Sequence, residues 1–183
     1  TINQLKFTKD YKISSIKSAI FNFTDTQDFK NVFEIENKKK YYNISGKVFN
    51  ASRLIENLIF KDSKSRDIFQ RDLNIKIDLK EVHLSSDHLV YGLKGDLKFK
   101  DNKLVNATIN SNFNENEKIS FTIKTNENQK VMTLFSDYAE PFVKKYNFIK
   151  GFENGSLDFY SVKSNNITSS QLKIYDFKLK ELP

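Results

Sequence analysis

Two histidines, His83 and His88, bracket the stretch LSSD, and carboxylates recur at Asp78, Asp96 and Asp158. Imidazoles so close in sequence could share a metal ion or pass a proton, and paired carboxylates are the equipment of general acid–base chemistry. Both readings need company that the sequence withholds. No third ligand stands at metal-binding spacing, so the histidines read as polar side chains flanking a turn. The aspartates fall on the polar side of alternating segments and read as a solvated face. There is no GxGxxG, phosphate loop, HExxH or GxSxG. The absence of cysteine removes disulfides, thiolate metal sites and cysteine nucleophiles, and it fits a cytosol or a periplasm equally. The expectation is a protein that is not an enzyme and holds neither cofactor nor metal.

The elements that carry these residues must therefore supply the function. At 183 residues, 38% of them hydrophobic, with seventeen Phe and eight Tyr, the chain is long enough for one domain with its own core and too short for two. No apolar run approaches the roughly 20 residues of a membrane-spanning helix, and the first residue is Thr1. The expectation is a segment of a larger protein whose anchor lies outside this chain. The net charge of +7 comes from 30 basic and 23 acidic residues. Most of the basic residues are lysines interleaved with acids, apart from Lys38, Lys39 and Lys40, which argues against a nucleic-acid surface. Weak attraction to anionic lipid head groups is compatible with that balance.

Period-2 alternation dominates the middle of the chain. LNIKIDLK puts Leu73, Ile75, Ile77 and Leu79 on one face, and LVYGLKGDLKFK puts Leu89, Tyr91, Leu93, Leu97 and Phe99 together. A three-residue loop over 101–103 sets Phe99 opposite Val105, Leu97 opposite Ala107, Gly95 opposite Ile109 and Tyr91 opposite Phe113. A two-residue turn would instead split the apolar face, because a one-residue slip inverts every side chain. The same parity carries on through Ile119, Phe121 and Ile123, with Phe113 opposite Ile119 and Ile109 opposite Ile123. In the next segment Val131 and Phe135 compete with Met132 and Leu134 for that face. SLDFYSV and QLKIYDFKL add Leu157, Phe159, Leu172 and Ile174.

Three earlier segments, IFNF, VFEI and YYNISGKVF, also read as strands. NASRLIENLIF predicts a short helix capped by Asn50 with a Leu54, Ile55, Leu58 and Ile59 stripe. A polar connector follows, and the likeliest internal boundary lies near 61–72. Between Ser136 and Phe159, Asp137 and Glu140 predict a capping box with Pro141 in the first turn. The helix from Tyr138 to Asn147 would present Tyr138, Phe142, Tyr146 and Ile149 on one side, stop at Gly151, and turn at Asn154-Gly155 into the next strand.

Taken in order, SGKVFNASRLIENLI, LVYGLKGDLKFKDNKLVNATI, SDYAEPFVKKYNFIKGFENGSLDF and QLKIYDFKLKELP resemble the C-terminal region of AsmA-like proteins, the YhdP-type branch of the AsmA/TamB superfamily. The motifs that carry the resemblance are the hairpin from Gly95 to Leu104, the helix start Asp137-Tyr138-Ala139, the strand opening Gly155 to Leu157, and the closing strand from Leu172 to Pro183. Such proteins are similar in architecture to bridge-like lipid transfer proteins. The resemblance implies a mainly β fold: an antiparallel meander forming a curved open sheet, the trough called a β-taco, with two short helices. It implies a non-enzymatic segment, in the periplasm of a Gram-negative envelope and anchored to the inner membrane through parts outside this chain, that shields phospholipid acyl chains between the two membranes. Envelope proteins are expected as further partners. The lipid path would be the face carrying Leu73, Ile75, Ile77, Leu79, Leu89, Tyr91, Leu93, Leu97, Phe99, Ile109, Phe113, Ile119, Phe121, Ile123, Leu157, Phe159, Leu172 and Ile174. The same alternation fits a closed β-sandwich that acts as an envelope protein-interaction module.

Overall fold

A computed structural model describes the chain except residues 10, 12, 53–71, 102, 127, 147–149, 166 and 181–183. The strands are β1 (Ile2–Asn3), β2 (Lys6–Phe7), β3 (Ile13–Ser15), β4 (Ser18–Thr24), β5 (Lys30–Asn37), β6 (Tyr42–Asn50), β7 (Leu73–His83), β8 (Leu89–Lys100), β9 (Lys103–Asn112), β10 (Lys118–Thr125), β11 (Gln129–Ser136), β12 (Phe152–Ser164) and β13 (Ile167–Leu179), with helix α1 at Glu140–Tyr146. Strands make up 70% of the described residues. One 11-stranded open sheet runs β1-β4-β5-β6-β7-β8-β9-β10-β11-β12-β13, and β2 and β3 form a separate two-stranded ribbon. Every pairing in the large sheet is antiparallel except β6 with β7. The helix predicted over NASRLIENLIF and the boundary near 61–72 lie outside the described residues, Asn50, Ala51, Ser52 and Asp72 apart.

The register keeps the expected face and corrects the pairings. Leu97 pairs with Ala107 and Gly95 with Ile109, as the alternation predicts, but Lys100 pairs with Lys103 across a two-residue connection, and Phe99 pairs with Leu104. A register shift between Lys98 and Phe99 reconciles the two-residue turn with an unsplit face. Across β9 and β10, Ile119 pairs with Ser111, Phe121 with Ile109 and Ile123 with Ala107. The expected partners were two residues away, and because side chains alternate with period 2 that slip leaves the face unchanged. In β11, Met132 and Leu134 win the face, opposite Ile123 and Phe121.

Two glycine-containing irregularities invert the alternation. At Gly92, with φ of 61°, the buried residue of β8 becomes Val90, which clusters with Leu79 and Val82. Tyr91 is 46% exposed and pairs with Glu81, while Leu89 pairs with His83. Leu89 and Tyr91 therefore leave the face they were expected to share with Leu93. Asn154 and Gly155, read from sequence as a turn, are instead an irregularity inside β12, with φ of 59° and 76°. Beyond it Phe152 returns to the packed side beside Leu157.

Helix α1 forms, with Asp137 in a different role. The Asp137 carboxylate accepts the Lys118 amide at 2.9 Å, fixing the start of β10, so it is not the helix cap. The amides of Phe142 and Val143 both donate to the Ala139 carbonyl. Ala139 and Val143, both 0% exposed, form the packed side with Phe142 partly buried beside them. Of the expected aromatic side, Tyr138 and Phe142 are half-buried, Ala139 and Val143 form the fully buried pair beside them, and the Tyr146 side chain and Ile149 lie outside what is described.

Candidate functional site

The histidines assemble no chemical site. His83 lies against Phe29 with ring centroids 4.6 Å apart, and His88 Nδ1 shares a hydrogen with Ser85 Oγ at 2.8 Å. No group of residues that could hold a metal ion occurs among the described residues. An open recess of about 550 Å³ brings His88, Phe113, Glu117, Tyr138, Glu140 and Lys144 together. Burial pushes the Tyr138 phenol up to about 12, helped by the charge and hydrogen bond of Glu140. Burial also holds the His88 imidazolium below its ordinary value. Burial opposes the charge on Glu140, but hydrogen bonds from Lys144, the Asn154 amide and Tyr138 hold its carboxyl below the usual range. A phenol that keeps its proton beside a carboxylate that has lost one is a clasp, tying α1 to β12 through the Asn154 amide, 3.0 Å from Glu140 Oε2. It is a poor acid–base pair at neutral pH. Asp78 and Asp96 stay exposed on the polar face, and Asp158 is half-buried there opposite Phe135 and Lys173.

The organised feature of the molecule is a row of side chains running across the strands. Directly opposed residues share a face, and one line of such pairs crosses the whole sheet: Ile2, Ala19, Ile35, Ile44, Ile77, Gly95, Ile109, Phe121, Leu134, Phe159, Leu172. Every member is apolar or glycine. At about 4.8 Å per strand the row runs about 48 Å. A flanking row follows Ile75, Leu97, Ala107, Ile123 and Met132 before ending in Ser161 and Ser170. On the opposite face the equivalent line reads Ser18, Glu36, Asn43, Lys76, Asp96, Thr108, Thr122, Thr133, Tyr160, Gln171.

The apolar face is only partly covered. Of the expected residues, Leu79, Ile123 and Leu157 are buried, and Tyr91 and Leu172 are exposed. Leu73, Ile75, Ile77, Leu89, Leu93, Leu97, Phe99, Ile109, Phe113, Ile119, Phe121, Phe159 and Ile174 are half-buried. Buried apolar residues gather in two clusters. One is Leu79, Val82 and Val90; the other is Ala139, Val143, Phe152 and Leu157, under α1. Between them Ile109 and Phe121 belong to neither. The sequence reading took the segments of Ala19, Ile35 and Ile44 as strands but did not join them to the apolar row, because the parallel pairing that aligns Ile44 with Ile77 leaves no local signal.

No family model, no curated protein and no solved structure matches the chain.

Proposed function

We propose that this chain is a lipid-binding and lipid-conducting segment of an AsmA-like envelope protein, its open apolar face forming a curved groove that shields phospholipid acyl chains on their way between inner and outer membranes. The observation that carries this reading is the edge-to-edge apolar row, half-buried and without a second large sheet over it among the described residues. Bringing an acyl chain of roughly fifteen methylenes out of water is worth about 12 kcal/mol at about 0.8 kcal/mol per methylene. A row of Ile, Leu and Phe supplies that contact without directional bonds, so it selects hydrocarbon over water without reading the head group. Movement then needs continuity of the row and no catalyst.

Native mass spectrometry of the purified chain, paired with photo-crosslinking from position 121, tests the proposal. Co-purified phospholipid crosslinked at 121, and lost in Phe121→Asp and Leu97→Asp variants that keep their far-UV circular dichroism, supports it. A lipid-free chain, or variants that simply unfold, leaves the face as ordinary core and rejects it.

A second reading, a non-enzymatic protein-interaction module, is favoured by one feature. The last strand, β13, is a 13-residue edge on which Ile167, Leu172, Tyr175, Phe177 and Leu179 are exposed. Such an edge can accept a partner strand.

A further inference from the structure

Six lysines that stand far apart in sequence meet along one rim of the sheet, where few acids accompany them. Because β6 and β7 are parallel and the other neighbours antiparallel, the β5–β6, β8–β9, β10–β11 and β12–β13 connections all lie on one rim of the sheet. The β4–β5, β7–β8 and β9–β10 connections and the α1 segment lie on the other. The first rim carries Lys39, Lys40, Lys100, Lys103, Lys130 and Lys163; the second carries Asp28, Asp87, Glu115, Glu117 and Asp137 interleaved with Lys30, Lys118, Lys144, Lys150, Lys178 and Lys180. On the basic rim the described acids are Glu36, already paired with Lys38, together with Asp72 and Asp101. Asp72 is occupied by the Asp101 amide at 3.1 Å. No ion pair among the described residues engages those six lysines.

Two pairs of them sit in direct opposition. Lys100 faces Lys103 and Lys130 faces Lys163. Like charges directly opposed across strands destabilise a sheet, and nothing described within the fold offsets them. Burial, and then the charge of Lys163, hold Lys130 below its ordinary pKa. Beside these lysines the rim also exposes hydrocarbon. Ile167, opposite Ser164 at the β12–β13 turn, is 77% exposed, and the Leu73–Phe99 pair closes the apolar face at the same rim.

We propose that the basic rim is a docking surface for an anionic phospholipid bilayer, with the lysines on the phosphates and Ile167 entering the acyl boundary. Phosphates alone would satisfy the lysines, but the apolar tip at the end of their row has no use on a nucleic acid and has one at a membrane interface, where charge and hydrocarbon adjoin. From the β5–β6 turn to the β12–β13 turn the rim spans about 34 Å at about 4.8 Å per strand, long enough to engage several head groups at once. Docking of this kind does not depend on the groove reading, since a sheet can sit on a membrane without carrying lipid.

The test is co-sedimentation of the 183-residue chain with vesicles of phosphatidylglycerol and phosphatidylcholine, against vesicles of phosphatidylcholine alone. Each lysine near an anionic surface contributes about a fivefold change in partitioning. The set Lys40→Gln, Lys100→Gln, Lys103→Gln and Lys163→Gln should therefore lower binding about 600-fold, with no fall in melting temperature because two like-charge pairs are relieved. The matched set Lys30→Gln, Lys118→Gln, Lys150→Gln and Lys178→Gln removes the same charge from the opposite half and should bind nearly as the parent does. Ile167→Ser should weaken binding further, and raising salt from 0.1 to 1 M, which cuts the Debye length from about 10 to about 3 Å, should abolish it. Phe121→Asp should dock normally, which separates failure of this proposal from failure of the groove. Equal losses in the two lysine sets, equal binding to both vesicle types, or tighter capture of a single-stranded oligonucleotide through the same lysines would each overturn it.

Discussion

Under α1, Phe152 and Leu157 pack against Ala139 and Val143, and all four are at most 3% exposed. Toward the middle of the sheet, Ile109 and Phe121 come from strands with the same alternation and remain half-buried. The two regions differ in cover and not in pattern. A helix of 7 residues turns the first half of β12 into core, while the middle strands carry their hydrocarbon without an equivalent lid among the described residues. Alternation decides which side of a strand is apolar; what lies over that side decides whether it is core or surface.

That contrast can be broken most forcefully by truncation. Phe152→Ala should cost about 3–5 kcal/mol in urea denaturation, as for a large aromatic deleted from a closed core. Phe121→Ala should cost about 1–2 kcal/mol, because less transfer free energy is lost from a half-buried site. Similar losses at the two positions would mean that the middle is closed too. Glycines give a sharper and smaller comparison. In Gly155→Ala the new methyl would sit at a positive φ, 2.8 Å from the Tyr175 carbonyl oxygen, and should cost about 1–3 kcal/mol. In Gly95→Ala the methyl would meet only Ile77 and Ile109 side chains at 3.4 Å, and the melting curve should move by less than about 0.5 kcal/mol equivalent.

The smallest effect concerns acid. Asp25 accepts the Gln27 and Phe29 amides and the Asn31 and Asn50 side chains. Desolvation opposes its charge, yet those hydrogen bonds, that of Asn50 foremost, hold its carboxyl at about 2. A folded pKa below the unfolded value of about 3.9 gives stability that is complete above the unfolded value and is lost as pH falls toward 2. Melting temperature should fall over that window in the parent and fall less in Asp25→Asn, while neither cluster of buried apolar residues responds.

Much of this was legible in the residues. The period-2 runs from Leu73 to Ile123 determine the strands and the face, and they survive even where Phe99 and Ile119 take different partners. The phase inversions at Gly92 and Gly155 were not legible, because a glycine in an alternating run does not announce whether it marks a turn or an irregularity within a strand. Nor was the role of Asp137. A carboxylate three residues before a glutamate looks like a cap until the neighbouring strand brings the Lys118 amide to it. The gathering of lysines on one rim was not legible either: Lys100, Lys103, Lys130 and Lys163 stand at strand ends far apart in sequence, and only the alternating hairpins bring them to the same side.

The single parallel pairing, β6 with β7, holds that gathering in phase. Had β7 returned antiparallel, each later connection would have changed sides, and the lysine-bearing turns after it would have been mixed among the aspartates and glutamates before it. Instead the ends of four hairpins bring six lysines to one rim of the sheet. A negatively charged plane would then meet the sheet by that edge first.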